Sequence, residues 1–292
     1  MKSLVSKTPT GVRAPASTKR TASRMPRAGA DVPVMSADAM LELFQILQGS
    51  TSLELKLSVP DHGRNAAVKG IGFDPVEAEP RQVYFFDTPD LALNKAGVVV
   101  RARRSRGGVG DTVVKLRPVD PTMLDRKLRR SPGFKIEVDG LPGGYVCSAS
   151  LKGVCTAQEV RDVSNGKAPV ESLFSEEQRA FYAAHAPAGL KMNALATLGP
   201  TFQLRVKHQP KDFDRRITIE LWLYPDGGRV YEISTKGTPA EAFQVQMLFK
   251  AFVAKCGIPV EKSLATKTSS ALSFFSKELK RRTSAAKTEP VH

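Results

Sequence analysis

The sequence contains few of the residues that build disulfide frameworks or histidine-based metal sites. Its 292 residues include four scattered histidines and three cysteines, Cys147, Cys155 and Cys256. The number and spacing of the cysteines match neither a disulfide framework nor a zinc site. We therefore expect a reducing, cytoplasmic environment, although the composition of the N-terminal segment leaves organelle targeting open. No apolar run approaches the length of a membrane-spanning helix, so no membrane partner is expected.

Sequence signatures of several function classes are also missing. There is no Walker loop, helix-turn-helix, zinc-finger or RNA-recognition signature, and no spacing indicates a Ser-His-Asp or Cys-His set. The net charge is +15, but residues 1–36 alone carry seven Lys or Arg and one Asp, and residues 277–292 carry five Lys or Arg and two Glu. A nucleic acid is therefore not the expected partner. The run Arg101–Arg106 is explained more simply as a strand that enters a glycine-rich hairpin.

Composition divides the chain into one domain and two tails. Residues 1–35 are rich in Ala, Ser, Thr, Pro, Lys and Arg and poor in aromatic residues, which predicts a disordered basic tail. Residues 36–276 have the hydrophobic content of a folded domain, and residues 277–292 are expected to form a second basic tail. Within the domain, the segment near 141–200 has more Gly, Ala and Pro and a helix-capping pattern from Ser175. This change predicts a helical insertion.

Charged and apolar residues alternate along several segments, and this period of two predicts half-buried β-strands. In the first segment, Glu54 and Lys56 alternate with Leu53, Leu55 and Leu57. The same alternation recurs at 114–117, 134–139, 205–207, 217–221 and 231–236. Cations are concentrated on some of these strands and carboxylates on others. We therefore favour a charged face that lines a cavity, while strands with ordinary solvated faces are the alternative.

The segment 83–104 carries the most specific pattern in the chain. An apolar run ends in the turn Asp87-Thr88-Pro89-Asp90, and a second run after Gly97 leads into Arg101 and Arg103. Residues two apart on a strand share a face. Two guanidinium groups on one face offer fork-shaped donors to phosphate or carboxylate oxygens, so this strand is expected to bind an anion.

Helices are predicted on either side of the strand-rich region. The first covers Ser36 to Gln48, a second begins with a capping box at Thr238, and a last helix is expected at 268–281. Large apolar residues at helical spacing predict the buried face of the second helix, which comprises Phe243, Met247, Leu248, Ala251 and Phe252.

The turn at 84–90, the Arg-x-Arg that follows it and the late acidic strand together resemble the CYTH superfamily. These triphosphate tunnel metalloenzymes include adenylyl cyclases, thiamine triphosphatases and inorganic triphosphatases, and the resemblance covers about residues 50–275. It implies an α+β fold, an eight-stranded antiparallel β-barrel with flanking helices, whose charged residues point into a tunnel. Cationic strands would hold a triphosphate, and acidic strands would hold Mg²⁺ or Mn²⁺.

The resemblance assigns roles to individual residues. Glu54 and Lys56 match the opening Glu-x-Glu-x-Lys motif and are the expected catalytic residues, while Ser52 and Ser234 stand where the family has further acids. The expected triphosphate-binding residues are Lys56, Arg101, Arg103, Lys115, Arg117, Arg205, Lys207 and Lys267. The expected metal ligands are Glu54, Glu137, Asp139, Glu220 and Glu232. An equally favoured alternative is that four charged residues are solvated on a strand face: Lys207, Arg117, Lys236 and Asp139.

These observations predict metal-dependent hydrolysis of a triphosphate compound inside the barrel, with a triphosphate-containing small molecule or polyphosphate as partner. An adenylyl cyclase would bind the phosphates in the same way, but it also needs a pocket for the nucleotide base, and the sequence does not identify one. A barrel that binds polyphosphate or a nucleotide without turnover is the third reading. The missing acids at Ser52 and Ser234 favour that reading, whereas the full set of cations favours retained phosphate binding.

Overall fold

The structure is a computed structural model that describes residues 37–261 and 267–286. The basic tail predicted at 1–35 lies outside these ranges, and so does the end of the second predicted tail. Residues 277–286 of that second tail belong to the last helix. The side chain of Lys267 also lies outside the described part of the chain, so its predicted role stays a prediction.

The described residues form nine strands and seven α-helices. The strands are β1 (Ser52–Val59), β2 (Glu79–Asp87), β3 (Val98–Ser105), β4 (Val109–Leu116), β5 (Phe134–Leu141), β6 (Gly144–Thr156), β7 (Ala196–His208), β8 (Ile217–Leu223) and β9 (Arg229–Gly237). The helices are α1 (Ala37–Gln48), α2 (Arg64–Ile71), α3 (Ala92–Lys95), α4 (Ala157–Ser164), α5 (Glu176–Ala183), α6 (Ala242–Lys255) and α7 (Lys267–Ala286).

The strands close into a barrel in the order β1-β5-β6-β4-β3-β2-β7-β8-β9. Neighbouring strands are antiparallel except for β1 and β5, which pair in parallel. The predicted α+β barrel with flanking helices is confirmed. It has nine strands instead of eight, and it is mixed instead of wholly antiparallel.

Strand β6 accounts for the difference in strand number. It occupies 144–156, inside the segment that was expected to be a helical insertion, and the helices α4 and α5 follow it. Residues 147–151 of β6 are buried on both faces, and they are small or apolar. A strand buried on both faces lacks the alternation of apolar and charged residues that marks the other strands. Outside the barrel, Gln178 of α5 donates a hydrogen bond to the carbonyl of Leu151 (3.0 Å), which docks α5 on this strand.

Helix α7 packs against one end of the barrel. Its apolar residues join those of the inner wall in one buried cluster that contains Val83, Phe85, Leu198, Trp222, Ala271, Leu272 and Phe275. Phe85 and Trp222 lie near the carboxyl ends of β2 and β8, so α7 covers the end of the barrel where these strands finish. Phe85, Phe86 and Trp222 are buried. No helix in the described ranges is long and apolar enough to cross a membrane.

The predicted buried face of α6 is largely wrong. Phe252 is buried as expected, but Phe243, Met247 and Leu248 keep 37%, 63% and 40% of their surface exposed. The residues of α6 that are buried are Ala242, Val245, Phe249, Phe252 and Val253. Apolar residues cover most of the circumference of this helix, so its sequence does not select one face. Contacts from elsewhere in the chain select it, including the stacking of Phe213 on Phe252 with ring centroids 4.8 Å apart.

Candidate functional site

A cavity of about 370 Å³ lies inside the barrel and is lined mainly by charged side chains. Its cationic lining residues are Lys56, Arg101, Arg103, Lys115, Arg117, Lys152, Arg205, Lys207 and Lys236. Its acidic lining residues are Glu54, Glu137, Glu220 and Glu232. Cations outnumber carboxylates among these described residues, so the cavity attracts anions.

The cavity brings together the predicted site residues from strands that are far apart in the sequence. Every one of them whose side chain is described lies in the lining, except Asp139. Asp139 has no exposed surface and lies behind the lining, in contact with three of its cations. Thr268, which follows Lys267 in α7, also lines the cavity.

The carboxylate of Asp87 organises the turn that leads into the arginine-bearing strand. It accepts hydrogen bonds from the backbone N–H groups of Thr88 (2.7 Å), Leu93 (2.9 Å) and Asn94 (3.0 Å). These bonds satisfy donors at the start of α3 and fix the path of the chain after β2. Gly97, with φ of 74°, then turns the chain into β3 in a backbone conformation that favours glycine.

The two arginines of β3 face the cavity but differ in their partners. Arg103 forms a bidentate ion pair with Asp111, with N–O distances of 2.8 to 3.1 Å. Arg101 forms no ion pair with a described residue, and its Nε has no hydrogen-bond partner there. Desolvation by the barrel wall lowers the pKa of Arg101 to about 9, and the nearby charge of Arg103 adds to the shift. Arg101 is therefore an enclosed cation that forms no ion pair with an anion among the described residues.

Asp139 gathers a second group of cations. One carboxylate oxygen lies 2.5 Å from Lys56 Nζ, and the other lies 3.2 Å from Arg117 Nη1 and 3.6 Å from Lys115 Nζ. Burial alone would raise the pKa of the Asp139 carboxyl, but these cations hold it well below its usual range. Three cations share this carboxylate, and burial still lowers the pKa of Lys115 to about 8. Asp139 and the three cations around it together keep an excess of positive charge.

Three carboxylates lie close enough to hold a metal ion together. One oxygen each from Glu54, Glu137 and Asp139 lies within 4.8 Å of the other two. Two ammonium groups already contact these carboxylates. Lys56 Nζ lies 3.0 Å from Glu54 and 2.5 Å from Asp139, and Lys236 Nζ lies 2.6 Å from Glu137 and 3.6 Å from Glu54.

Two further carboxylates face the cavity from neighbouring strands. Glu220 of β8 lies directly opposite Glu232 of β9 in the antiparallel register, and cross-strand partners project to the same face of a sheet. The indole N–H of Trp222 donates to Glu220 at 3.1 Å. Ser234, two residues after Glu232, donates its hydroxyl to Glu54 at 3.2 Å, so the serine is linked to the acidic cluster.

Comparisons with known proteins give structural likenesses only. No protein-family model and no curated protein sequence matches the chain. A solved structure from Hippeastrum, described as a candidate adenylyl cyclase with dominant triphosphatase activity, superposes with a TM-score of 0.59 at 18% identity, covering 77% of this chain and 96% of that one. The chain has a CYTH-type fold. A candidate adenylate cyclase from Bacillus halodurans has a TM-score of 0.52 at 15% identity, with coverage of 75% and 95%.

The CYTH-type barrel also contains charged residues that the sequence did not single out. Arg81 of β2 is 8% exposed, and it shares one carboxylate oxygen of Glu79 with Arg205, each at 2.8 Å. Pro80 interrupts the alternation of apolar and charged residues by which the sequence would have identified Arg81. Lys152 lies on β6, which was not predicted as a strand.

Gln203 is the main polar residue that the sequence did not indicate. It is 1% exposed, and neither its amide nitrogen nor its amide oxygen has a hydrogen-bond partner among the described residues. The register places Gln203 opposite Arg81 on β2 and opposite Trp222 on β8, which is the inner face of the wall. A neutral side chain carries no charge pattern, so only the three-dimensional register identifies it.

Proposed function

We propose that this chain hydrolyses a triphosphate compound, inorganic or organic, inside the barrel with the help of Mg²⁺ or Mn²⁺. The observation that carries the proposal is the set of enclosed cations that exceeds the carboxylates around it. A triphosphate carries about four negative charges at neutral pH, and an enclosed site needs several cations to bind it. The described lining of the cavity provides them from six strands.

In this proposal, different cations contact different parts of the triphosphate. Arg101 and Arg103 would bind one end of the triphosphate through their forked donors. Lys115 and Arg117, held by Asp139, would contact the chain farther along the tunnel. Arg205 and Lys207 would contribute from β7. Each bound phosphate would also relieve repulsion between neighbouring cations.

The carboxylates of the cavity suit a hard divalent cation, because Mg²⁺ and Mn²⁺ prefer oxygen ligands. In this proposal Glu54 and Glu232 would hold the metal together with the triphosphate, with Glu137 and Glu220 as supporting ligands. Asp139, also predicted as a ligand, contacts three cations and would act mainly by fixing them. When bound, the metal would polarise a phosphoryl oxygen and neutralise developing charge.

Glu54 and Lys56 are the proposed catalytic residues. Glu54 would accept a proton from the attacking water at its carboxylate, which Ser234 orients by a hydrogen bond. The nearby carboxylates of Asp139 and Glu54 outweigh the effect of burial and raise the pKa of Lys56 well above its usual value. Lys56 therefore stays charged and would stabilise the phosphoryl oxygens during transfer. The α7 helix, packed on one end of the barrel, would limit the access of bulk water.

Phosphate release from a panel of triphosphates tests the proposal. Purified protein would be incubated with tripolyphosphate, thiamine triphosphate and ATP, each with Mg²⁺, with Mn²⁺ and with chelator. We expect metal-dependent release of orthophosphate. Release of pyrophosphate with a cyclic nucleotide would identify a cyclase instead. Binding of tripolyphosphate in calorimetry without release of any product would identify a non-catalytic barrel, and absence of binding would contradict the proposed site.

A further inference from the structure

Lys236 has an unusual position for a lysine at the end of a strand. Its side chain is 60% exposed, yet its Nζ lies 2.6 Å and 3.3 Å from the two carboxylate oxygens of Glu137. The same Nζ lies 3.6 Å from Oε2 of Glu54. Lys236 is the cross-strand partner of Glu54 in the β1–β9 pair. The fold therefore directs this ammonium into the acidic cluster of Glu54, Glu137 and Asp139.

Ammonium groups contact all three carboxylates of that cluster. Lys56 lies between Glu54 and Asp139, and Lys236 lies between Glu54 and Glu137. A divalent cation entering the cluster would meet two like charges at close range, and their repulsion opposes its binding. Lys56 cannot easily withdraw, because its side chain is 13% exposed and is held by Asp139. Lys236, at the exposed edge, is the cation whose removal would change the site.

We propose that Lys236 is a resident cation that occupies the Glu54–Glu137 side of the acidic cluster and keeps a divalent metal out of it. This inference rests on the proposed function and narrows it, because it removes Glu137 from the supporting ligands of the metal and leaves Glu54, Glu232 and Glu220 to hold the metal with the triphosphate. The ammonium supplies positive charge near the phosphates without acting as a Lewis acid. Lys236 therefore determines how many metal ions the tunnel accepts.

Mn²⁺ titration without triphosphate, followed by the electron paramagnetic resonance signal of free Mn²⁺, tests this role. Lys236→Met removes the charge and keeps most of the side-chain length. Loss of a cation so close to two carboxylates should tighten Mn²⁺ binding about tenfold or more relative to wild type. Lys236→Arg keeps the charge and should bind Mn²⁺ as weakly as wild type.

A matched control comes from Lys135, which lies two residues before Glu137 on β5. Its side chain is exposed, and it forms no ion pair with a described residue. Lys135→Met should leave Mn²⁺ binding unchanged. If Lys135→Met and Lys236→Met tighten Mn²⁺ binding equally, the effect reflects only the change in net charge, and the proposal is overturned. Unchanged Mn²⁺ binding by Lys236→Met would also overturn it. If Lys236→Met does not fold, as judged by circular dichroism, Lys236→Gln carries the same test.

The outcome is independent of turnover, because no triphosphate is present in the titration. Tighter Mn²⁺ binding by Lys236→Met in a protein that releases no phosphate would support the role of Lys236 and reject the proposed hydrolysis. Phosphate release by the wild type together with unchanged Mn²⁺ binding in Lys236→Met would do the opposite. The two proposals therefore fail separately.

Discussion

The buried carboxylate of Asp139 lies 2.5 Å from the Nζ of Lys56, and the two residues come from strands that pair in parallel. The contact joins Lys56, the last residue of the opening motif on β1, to β5. Lys115 and Arg117 share the same carboxylate from the other side. One carboxylate therefore contacts three of the cations that line the cavity.

Removal of this carboxylate should destabilise the protein. Asp139→Asn leaves Lys56, Lys115 and Arg117 without their common counter-charge, and loss of one partner from a buried ion pair costs about 3–5 kcal/mol. Denaturant unfolding at pH 7 measures the loss. The control is Asp111→Asn, which disrupts the more exposed pair with Arg103 and should cost about 1 kcal/mol or less. Equal losses in the two variants would contradict the role given to Asp139.

The lowered pKa of Asp139 determines how the difference in unfolding free energy between wild type and Asp139→Asn depends on pH. A carboxyl whose pKa is lower in the folded state contributes stability above its unfolded pKa, which is about 3.9 for aspartate. That contribution is lost as the pH falls through the folded value. The gap in unfolding free energy between wild type and Asp139→Asn should be constant from neutral pH to about pH 5 and shrink below about pH 4. A gap that shrinks already between pH 7 and pH 6 would point to another titrating group.

The arginines of β3 should contribute to binding and little to folding. Arg101→Ala and Arg103→Ala are each expected to weaken tripolyphosphate binding by about 1.5–3 kcal/mol, the usual value of a charge-assisted contact. Because Arg101 is desolvated and has no anionic partner among the described residues, its removal should not lower the melting temperature. Calorimetric titration in the presence of chelator gives the affinities.

Arg104 provides the matched control for these arginines. It adjoins Arg103 in β3 and lies on the outer face of the barrel, because successive residues of a strand alternate. Arg104→Ala should leave the affinity for tripolyphosphate unchanged. If Arg104→Ala weakens binding as much as Arg101→Ala does, the anion binds outside the barrel and the tunnel assignment is wrong.

The sequence predicts the inner face of the barrel well where charge alternates along a single strand. Arg101 with Arg103 and Lys115 with Arg117 reach the cavity as expected, because side-chain direction over two residues is a local property. The strand β6 was missed for the opposite reason, since its small buried residues show no alternation. The face of α6 was misassigned because apolar residues surround that helix.

Contacts between distant strands could not be predicted in the same way. Lys236 could equally have been a solvated charge at a strand end, and its contact with Glu137 depends on two strand pairings, β9 with β1 and β1 with β5. The parallel pairing of β1 and β5 places Ser52 beside Glu137 and Glu54 beside Asp139. Such register relations are set by the closed barrel as a whole, and local sequence patterns do not contain them.

Binding of a triphosphate should add protons to Lys115. Burial lowers its pKa to about 8, so at pH 8 about half of the unliganded protein carries a neutral amine at this position. A bound polyanion favours the charged form and raises the pKa, which requires proton uptake. Calorimetry at pH 8 in buffers of different ionisation enthalpy measures that uptake. Lys115→Arg stays charged throughout, and it should take up about half a proton less than wild type. Equal uptake by the two proteins would contradict the lowered pKa.

Ser52 stands where the resemblance to the CYTH superfamily predicts a further acid, and a substitution can place one there. It lies on the same face of β1 as Glu54 and directly beside Glu137 of β5. Ser52→Glu should tighten Mn²⁺ binding, because a carboxylate is a stronger ligand for a hard cation than a hydroxyl group. Without metal the new charge lies near other carboxylates, so the melting temperature should fall, and Mn²⁺ should recover it by binding the folded state. Ser52→Gln has nearly the same size and no charge, and its melting temperature should not respond to Mn²⁺ more than that of wild type. If Ser52→Glu and Ser52→Gln respond to Mn²⁺ equally, the metal binds on other strands. The same conclusion follows if the wild type binds Mn²⁺ tightly and Glu54→Gln does not weaken that binding.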